Sequence, residues 1–227
     1  MTDYLVVIPT RNRYPLALRA VRSVLAQSVP PTEIVVVNDA STDPRYEWLD
    51  EIVNDSRLTM ITLPKSSQEV TGSGFAVGYV RNVALAHARH IGFEGWLAFL
   101  DDDDEWMPEK MATQFATARR YDDVRVFCSN AYNRSPAGLI CGYHHGDHGR
   151  KLNGCHDVTQ ALREINPVIC STAIIDAATA RKVGQQAPSG YSEDWDYWRR
   201  AAILSPVFRV DEPLAYYTVG NQKEYEL

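Results

Sequence analysis

Residues 96–106 read Trp-Leu-Ala-Phe-Leu-Asp-Asp-Asp-Asp-Glu-Trp, so an apolar run passes directly into four aspartates. Adjacent carboxylates repel one another, and crowding them on one turn costs stability unless a cation sits among them. Carboxylate oxygens are hard ligands that suit Mg²⁺ or Mn²⁺, commonly shared with a phosphate. An acidic run can equally be a solvated loop that caps the next helix. Position favours the metal site. An apolar run of this length reads as a strand buried on both faces, and open α/β sheets bind ligands at the carboxyl ends of their strands.

The elements that must hold this run follow from periodicity. Residues 4–8 form a first strand, which Pro9 ends because it cannot donate to the ladder. Residues 15–27 carry apolar side chains at helical spacing, and 33–37 are a second strand leading into Asn38 and Asp39. A helix over 46–53 and a strand over 58–63 complete a β-α-β-α-β order, which implies a parallel sheet with right-handed crossovers. Residues 66–78 are polar, with Gly72, Gly74 and Gly78, and are expected to be a mobile loop over the sheet's carboxyl edge. A helix over 79–90 follows, carrying Arg81 near its start. Beyond the acidic run come a helix over 108–121, a strand over 124–130, and a loop or hairpin over 135–154. A short helix over 158–164, a strand over 168–175 and helices over 177–183 and 191–202 follow. The end reads as strands around Pro213.

Composition narrows the function classes. The 227 residues are 45% hydrophobic and 23% charged, ordinary for one globular domain with a real core. A net charge of −6 argues against general affinity for nucleic acid or anionic membrane. Cys128, Cys141, Cys155 and Cys170 form no CxxC pair, a poor zinc pattern that fits reduced thiols. With no signal-peptide pattern and no run long enough for a membrane span, the expected location is cytoplasmic.

Five stretches together resemble the family-2 glycosyltransferases of the GT-A fold, which move a sugar from a nucleotide diphosphate donor with inversion. They are VVIPTRNR (6–13), EIVVVNDASTD (33–43), YVRNVAL (79–85), WLAFLDDDDEW (96–106) and EDWDYWRR (193–200). Each alone is weak; their order and spacing carry the resemblance. It implies an α/β fold, a Rossmann-like, mostly parallel sheet flanked by helices in a single domain. Residues 1–104 would serve the nucleotide and 105–227 the acceptor.

The resemblance also implies roles. Pro9, Thr10 and Arg11 fall where the base rests, Arg11 replacing the aromatic residue of many relatives with a guanidinium that can also stack. Asp39 falls where an acid accepts from uracil N3–H, which favours a UDP-sugar. Arg81 matches an arginine that reaches the nucleotide, where a cation helps bind diphosphate. Asp101 and Asp103 form the DxD pair. Asp103 is the direct ligand of Mn²⁺ or Mg²⁺, Asp101 faces ribose or the metal and its waters, and Asp102 lies between them against the nucleotide. Asp104 begins the next turn or orients the acceptor. Asp194 matches the catalytic base that takes the proton of an acceptor hydroxyl, saccharide or other. Glu193 supports it and touches the acceptor, on which Trp195 could stack; Tyr197 and Trp198 read as core.

Each role has a plainer counterpart. Arg11 and Arg81 are also ordinary surface arginines, Asp39 a turn or cap residue, and 192–194 a Ser-led helix cap. The cluster His144, His145, His148 and His156 with Asp147 matches no zinc spacing, and reads as an acceptor-side lining or a polar surface loop. A HAD-type phosphatase would place its DxD at the first strand, and a nucleotidyltransferase would carry a glycine-rich loop there; neither holds. A silent carbohydrate- or nucleotide-sugar-binding module remains as the alternative class. The short stretch after the last helix points to single addition rather than processive synthesis.

Overall fold

The structure is a computed structural model that describes residues 3–74, 76–135, 137–144, 154–190 and 192–220. Its elements in chain order are β1 (Tyr4–Thr10), α1 (Tyr14–Leu25), β2 (Glu33–Asn38), α2 (Leu49–Val53), β3 (Leu58–Thr62), α3 (Ser67–Thr71), α4 (Val77–His90), β4 (Trp96–Phe99), β5 (Glu105–Trp106), α5 (Lys110–Ala118), β6 (Val126–Arg134), β7 (Ile140–Tyr143), β8 (Cys155–Asp157), β9 (Ile174–Asp176), α6 (Ala177–Val183), α7 (Glu193–Leu204) and β10 (Val207–Thr218). One sheet runs in the order β3-β2-β1-β4-β9-β6-β10-β5, with β7 on β6 and β8 on β10. The half from β3 to β4 is parallel. β9 then enters antiparallel between β4 and β6. Among the described residues no helix is long and apolar enough to cross a membrane.

Period-2 alternation divides the core into two layers, since successive strand residues face opposite sides of a sheet. Leu5, Val7, Val35, Leu97 and Phe99 face α4, α6 and α7. Tyr4, Val6, Ile8, Val36 and Ala98 face α1 and α5. Both faces are covered, which is why these strands are near-continuous apolar runs. In α7, Tyr197 and Trp198 are fully buried and meet Phe99 edge-on, at 6.3 and 5.5 Å. They are core residues, as their helical spacing suggests.

Several boundaries differ from the sequence reading, each for a physical reason. β1 continues through Pro9, because its pairing with β4 stops at Val7 and the missing N–H leaves no ladder bond unmade. Residues 66–71 are not loop but helix: Ser66 Oγ accepts the Glu69 N–H, the Glu69 carboxylate accepts from Ser66 Oγ, and Gly72 ends the turn at φ 72°. Ser66 is thus a side-chain N-cap whose hydroxyl, rather than its backbone N–H, meets the Glu three residues on, and a left-handed glycine closes the helix. The strand expected over 168–175 is a 3₁₀ turn at Cys170–Thr172 followed by β9. Its polar groups turn it: Ser171 O accepts from Trp106 Nε1, and Thr172 O from Gln114 Nε2. The last strand is one element, β10, whose register shifts on both sides of Pro213. Of the histidine cluster, His145 and His148 (with Asp147) lie outside the described residues.

α4 is the element that fixes the approach to α7. Asn82 Nδ2 donates to Gln186 O, and Asn82 Oδ1 accepts from Gln186 N. One turn earlier, a Cβ on Gly78 would sit 2.0 Å from Ala187 O and 3.1 Å from Glu193 Cγ. Glycine is needed there for close approach rather than for φ. Ala normally beats Gly within a helix by about 1 kcal/mol. Here a backbone clash reverses the sign, since overpacking costs about 1–3 kcal/mol. Gly78→Ala is therefore expected to lower unfolding free energy in a urea melt by about 1–2 kcal/mol; a gain in stability would show that α4 does not pack as described.

Candidate active site

The acidic turn begins where β4 ends. Leu100 N–H donates to Val7 O, Asp101 N–H to Ser171 Oγ, and Asp104 N–H back to Asp101 O, so the chain reverses within four residues. The tight turn sends the carboxylates to three places, Asp102 and Asp103 sharing Arg13. Asp101 meets Arg81 of α4, whose Nη2 donates to Oδ1 at 2.6 Å. Asp102 is fully buried on Arg13, which donates through Nε and pairs through Nη2. Asp103 Oδ2 accepts from Arg13 Nη1 at 2.9 Å. Asp104, also buried, accepts the Thr218 N–H at 2.7 Å. Arg19 and Thr218 donate to the Asp103 carbonyl.

The side chains of Asp101 and Asp103 keep 26% and 21% of their surface exposed, whereas Asp102 and Asp104 have essentially none. The alternation separates part-exposed Asp101 and Asp103 from two buried carboxylates. Asp102, expected against the nucleotide, borders the cleft with its carboxylate buried on Arg13. Burial pushes Asp102 up to about 7 against the pull of Arg13. Burial, with Asp103 and Asp101 beside it, pushes Asp104 well above the carboxylate range.

Arg81 is buried, and its Nη1 donates to Glu193 Oε1 at 3.0 Å. One guanidinium thus joins the acidic turn to the first residue of α7. Burial opposes its charge, but Asp101 and Glu193 hold it charged well above the ordinary range. Arg81 thus pairs with Asp101 and with Glu193, a tie the sequence reading did not foresee, and both Arg81 and Glu193 line the cleft where a nucleotide and an acceptor were expected. Asp194 follows, half-buried, with Trp195 N–H donating to Oδ1 at 2.7 Å and Asn166 Nδ2 to Oδ2 at 3.0 Å. Burial raises its pKa, and Arg81 opposes the rise. Trp195 is not a wall of the cleft; its Nε1 donates to Leu162 O and its ring packs on the core.

At the far side, Asp39 ends β2 and accepts from Ser67 N–H and Ser67 Oγ, one oxygen each, at 2.5 and 2.6 Å. Arg11 Nη1 is 3.8 Å from its Oδ2. Thr10 Oγ1 is hydrogen-bonded to Tyr46, and Asn12 Oδ1 accepts from Thr42, so the loops after β1 and β2 are laced together. His144 reaches the same cleft, with Nδ1 on Asn133 Oδ1 and its ring edge-on to Tyr217 at 4.5 Å. Burial lowers its pKa, so it is neutral at neutral pH.

One cleft of about 590 Å³ is lined by Pro9, Thr10, Arg11, Asp39, Arg81, Asp101, Asp102, Asp103, Glu193 and Asp194. Arg13, Ser67, Asn166 and Tyr217, which the sequence reading did not select, also line it. Ser67 was within reach as the residue after the Ser66 cap and Arg13 through its place in the PTRNR stretch; Asn166 and Tyr217 carried no local signal. A second cavity of about 640 Å³ lies behind the turn, between α1 and the start of α5, and the one carboxylate on its wall is Glu105.

Among the described residues no three His, Cys, Asp or Glu side chains form a metal-holding group. A divalent cation at Asp101 and Asp103 would draw its remaining ligands from phosphate and water, the habit of Mg²⁺ in nucleotide sites. Removing Arg81 leaves Asp101 and Glu193 as unpaired neighbours. Arg81→Met is expected to cost about 3 kcal/mol in a denaturant melt, the low end for a broken buried pair, since Asp101 still touches water. A loss under about 0.5 kcal/mol, the size of an exposed pair, would exclude the bridge as a structural tie.

The comparisons with known proteins agree with this geometry. The model of glycosyl transferase family 2 matches residues 5–173. The UDP-Glc:α-D-GlcNAc-diphosphoundecaprenol β-1,3-glucosyltransferase WfaP of Escherichia coli is 26% identical over 196 residues, 85% of this chain and 67% of that protein. Two further curated relatives, 35% and 34% identical, are matched over only 42% and 39% of their length, so the chain spans less than half of either. S. aureus TarS (residues 1–349) in complex with UDP-GlcNAc superposes with a TM-score of 0.74 at 20% identity, over 98% of this chain and 60% of that one. The mannosyltransferase PcManGT of Pyrobaculum calidifontis, in complex with GDP-Man and Mn²⁺, does so at 0.65 and 18%, over 96% and 57%. These likenesses establish the GT-A fold, and with the extent of the family match they show that the chain belongs to glycosyl transferase family 2.

Proposed function

We propose that this chain is an inverting, metal-dependent glycosyltransferase that moves a sugar from a UDP-sugar to an acceptor hydroxyl. The observation that carries the reading is the single cleft that gathers Asp39, the pair Asp101 and Asp103, and Asp194 from three separate stretches of chain. The nucleotide half is residues 1–104 and the acceptor half 105–227.

Asp39 reads the base. Each of its oxygens accepts one hydrogen bond from Ser67 and retains capacity for another. It can accept from uracil N3–H but donates to no base, which favours uridine. Pro9 and Thr10 form the floor beside it, and the Arg11 guanidinium stacks on or pairs with the nucleotide. Asp103, with Asp101, holds Mn²⁺ or Mg²⁺. The donor set fits a hard cation: two part-exposed carboxylates, of which Asp101 meets its arginine through Oδ1 and Asp103 through Oδ2, leaving the other oxygen of each as the ligand. When bound, the cation neutralises charge on the departing diphosphate. Asp194 receives the acceptor hydroxyl's proton as that oxygen attacks the anomeric carbon and the bond to diphosphate breaks. One base on the face opposite the leaving group is what single-step inversion requires. Glu193, held by Arg81, keeps the first turn of α7 in place.

Three outcomes test the reading. Asp194→Asn should lower turnover by about 10²–10⁴-fold, the worth of a positioned base. UDP affinity and melting temperature should stay unchanged, and near-normal turnover would eliminate Asp194. Asp103→Ala should abolish Mn²⁺-dependent UDP binding in isothermal titration while the fold persists; unaltered affinity would remove Asp103 as the ligand. The third concerns pH. The base acts ionised, and burial raises the Asp194 pKa above the ordinary aspartate value. Activity should therefore climb with pH through a midpoint higher than that of a free aspartate, and a profile flat from pH 4 upward would contradict it.

A further inference from the structure

We propose that Asn166 is the positioning residue of the base: its side-chain amide holds the Asp194 carboxylate aimed into the cleft. The inference rests on reading Asp194 as the base and adds the group that orients it. A base that works at an ordinary rate of success needs an orienting partner as well as a correct position, because a carboxylate free to rotate presents its lone pairs in many directions.

The geometry is specific. Asp194 Oδ1 is tied to the Trp195 N–H and Oδ2 to Asn166 Nδ2, so both oxygens are fixed and each keeps a lone-pair site. Asn166 is fixed in turn. Its Oδ1 accepts the Val168 N–H at 3.2 Å. A backbone N–H can only donate, so the oxygen of the amide faces Val168 and the NH₂ faces Asp194; the flip is settled by chemistry. Pro167 between them has no N–H and biases Asn166 toward extended backbone, which completes an Asx turn. The anchor therefore sits on a closed local frame that also lines the cleft.

An amide N–H can donate to a carboxylate but cannot take its proton. Asn166 thus favours the ionised, proton-accepting form of Asp194 and never competes with it. The other groups that face Asp194 are Arg81 of α4, Asp101 at the end of β4, Glu193 beside it, the Cys170 thiol and the Tyr217 phenol of β10. Arg81 favours ionisation, and Asp101 and Glu193 oppose it. Arg81 is engaged directly by Asp101 and Glu193. Asn166 is the one of these partners whose side chain bonds the Asp194 carboxylate itself.

The test is a ¹³C-carboxyl NMR titration of the Asp194 side chain, its resonance assigned by its loss in Asp194→Asn. Asn166→Ala removes the donor without adding charge and is the deciding variant; Asn166→Asp keeps an oxygen for the Val168 N–H, so the turn survives, but it sets a second carboxylate beside Asp194 and serves only as the control for the turn. In Asn166→Ala the proton affinity of Asp194 should rise by about tenfold or more, the worth of a hydrogen bond to a charged group. The midpoint of the turnover–pH profile should move up by about one unit or more while affinity for UDP with Mn²⁺ is unchanged. An Asp194 midpoint unmoved in Asn166→Ala would overturn the proposal and leave Asn166 a turn residue, whose loss lowers only the melting temperature of that variant. Near-normal turnover in Asp194→Asn would instead sink the base assignment, whatever the titration gives.

Discussion

Four carboxylates at the end of a buried strand create a concentration of negative charge that the surrounding structure must neutralise or separate. The turn does both. It directs Asp102 and Asp103 toward Arg13, Asp101 toward Arg81, and Asp104 toward the end of β10. Two carboxylates are buried and spent on structure, and the alternate pair keeps contact with the cleft. The short return from Asp101 to Asp104 is what imposes this alternation, since it turns successive side chains apart. The acidic run is one stretch of sequence with two physical tasks.

The arginines that answer this charge come from both layers of helices. Arg13 stands at the entry to α1 on one face of the sheet, and Arg81 lies on α4 on the other. Arg81 is shared with Glu193, so the charge of the acidic turn also helps locate α7. The same face of α4 presents Gly78 and Asn82 to residues 186 and 187. α4 therefore sets the distance between the two acidic centres of the cleft. The 3₁₀ turn at Cys170–Thr172 supports them from beneath, through Ser171 Oγ on the Asp101 N–H and Ser171 O on the Trp106 indole.

Lys110 shows how closely that support is packed. It is fully buried, with Nζ 4.0 Å from the centre of the Trp106 ring and 2.7 Å from Gln114 Oε1. Burial lowers its pKa well below the ordinary lysine value. A buried ammonium is tolerated only with such partners, and Gln114 goes on to Thr172 O. Behind the acidic turn there is thus a polar layer whose hydrogen bonds tie β5, α5 and the 3₁₀ turn together.

Local pattern alone determined much of this protein. The buried strands, the helices from α1 to α7 apart from α3, and the acidic run at a strand's carboxyl edge follow from hydrophobic period and turn chemistry, which act over a few residues. The five ordered stretches pointed to the family and to Asp39, Asp101, Asp103 and Asp194, which do share one cleft. The Ser66 cap was overlooked within a stretch read as loop, and it is what starts the helix at residue 67. Tertiary structure decided the remainder. Arg81 and Glu193 are 112 positions apart, and Asn166 and Asp194 28 apart. No periodicity encodes which distant side chain will complete a hydrogen bond, because partner choice depends on how the helices stack across the sheet. The division of the four aspartates into buried and exposed pairs, the docking of Trp195 on Leu162 O rather than in the cleft, and the turn that replaces the strand before β9 all follow from such contacts.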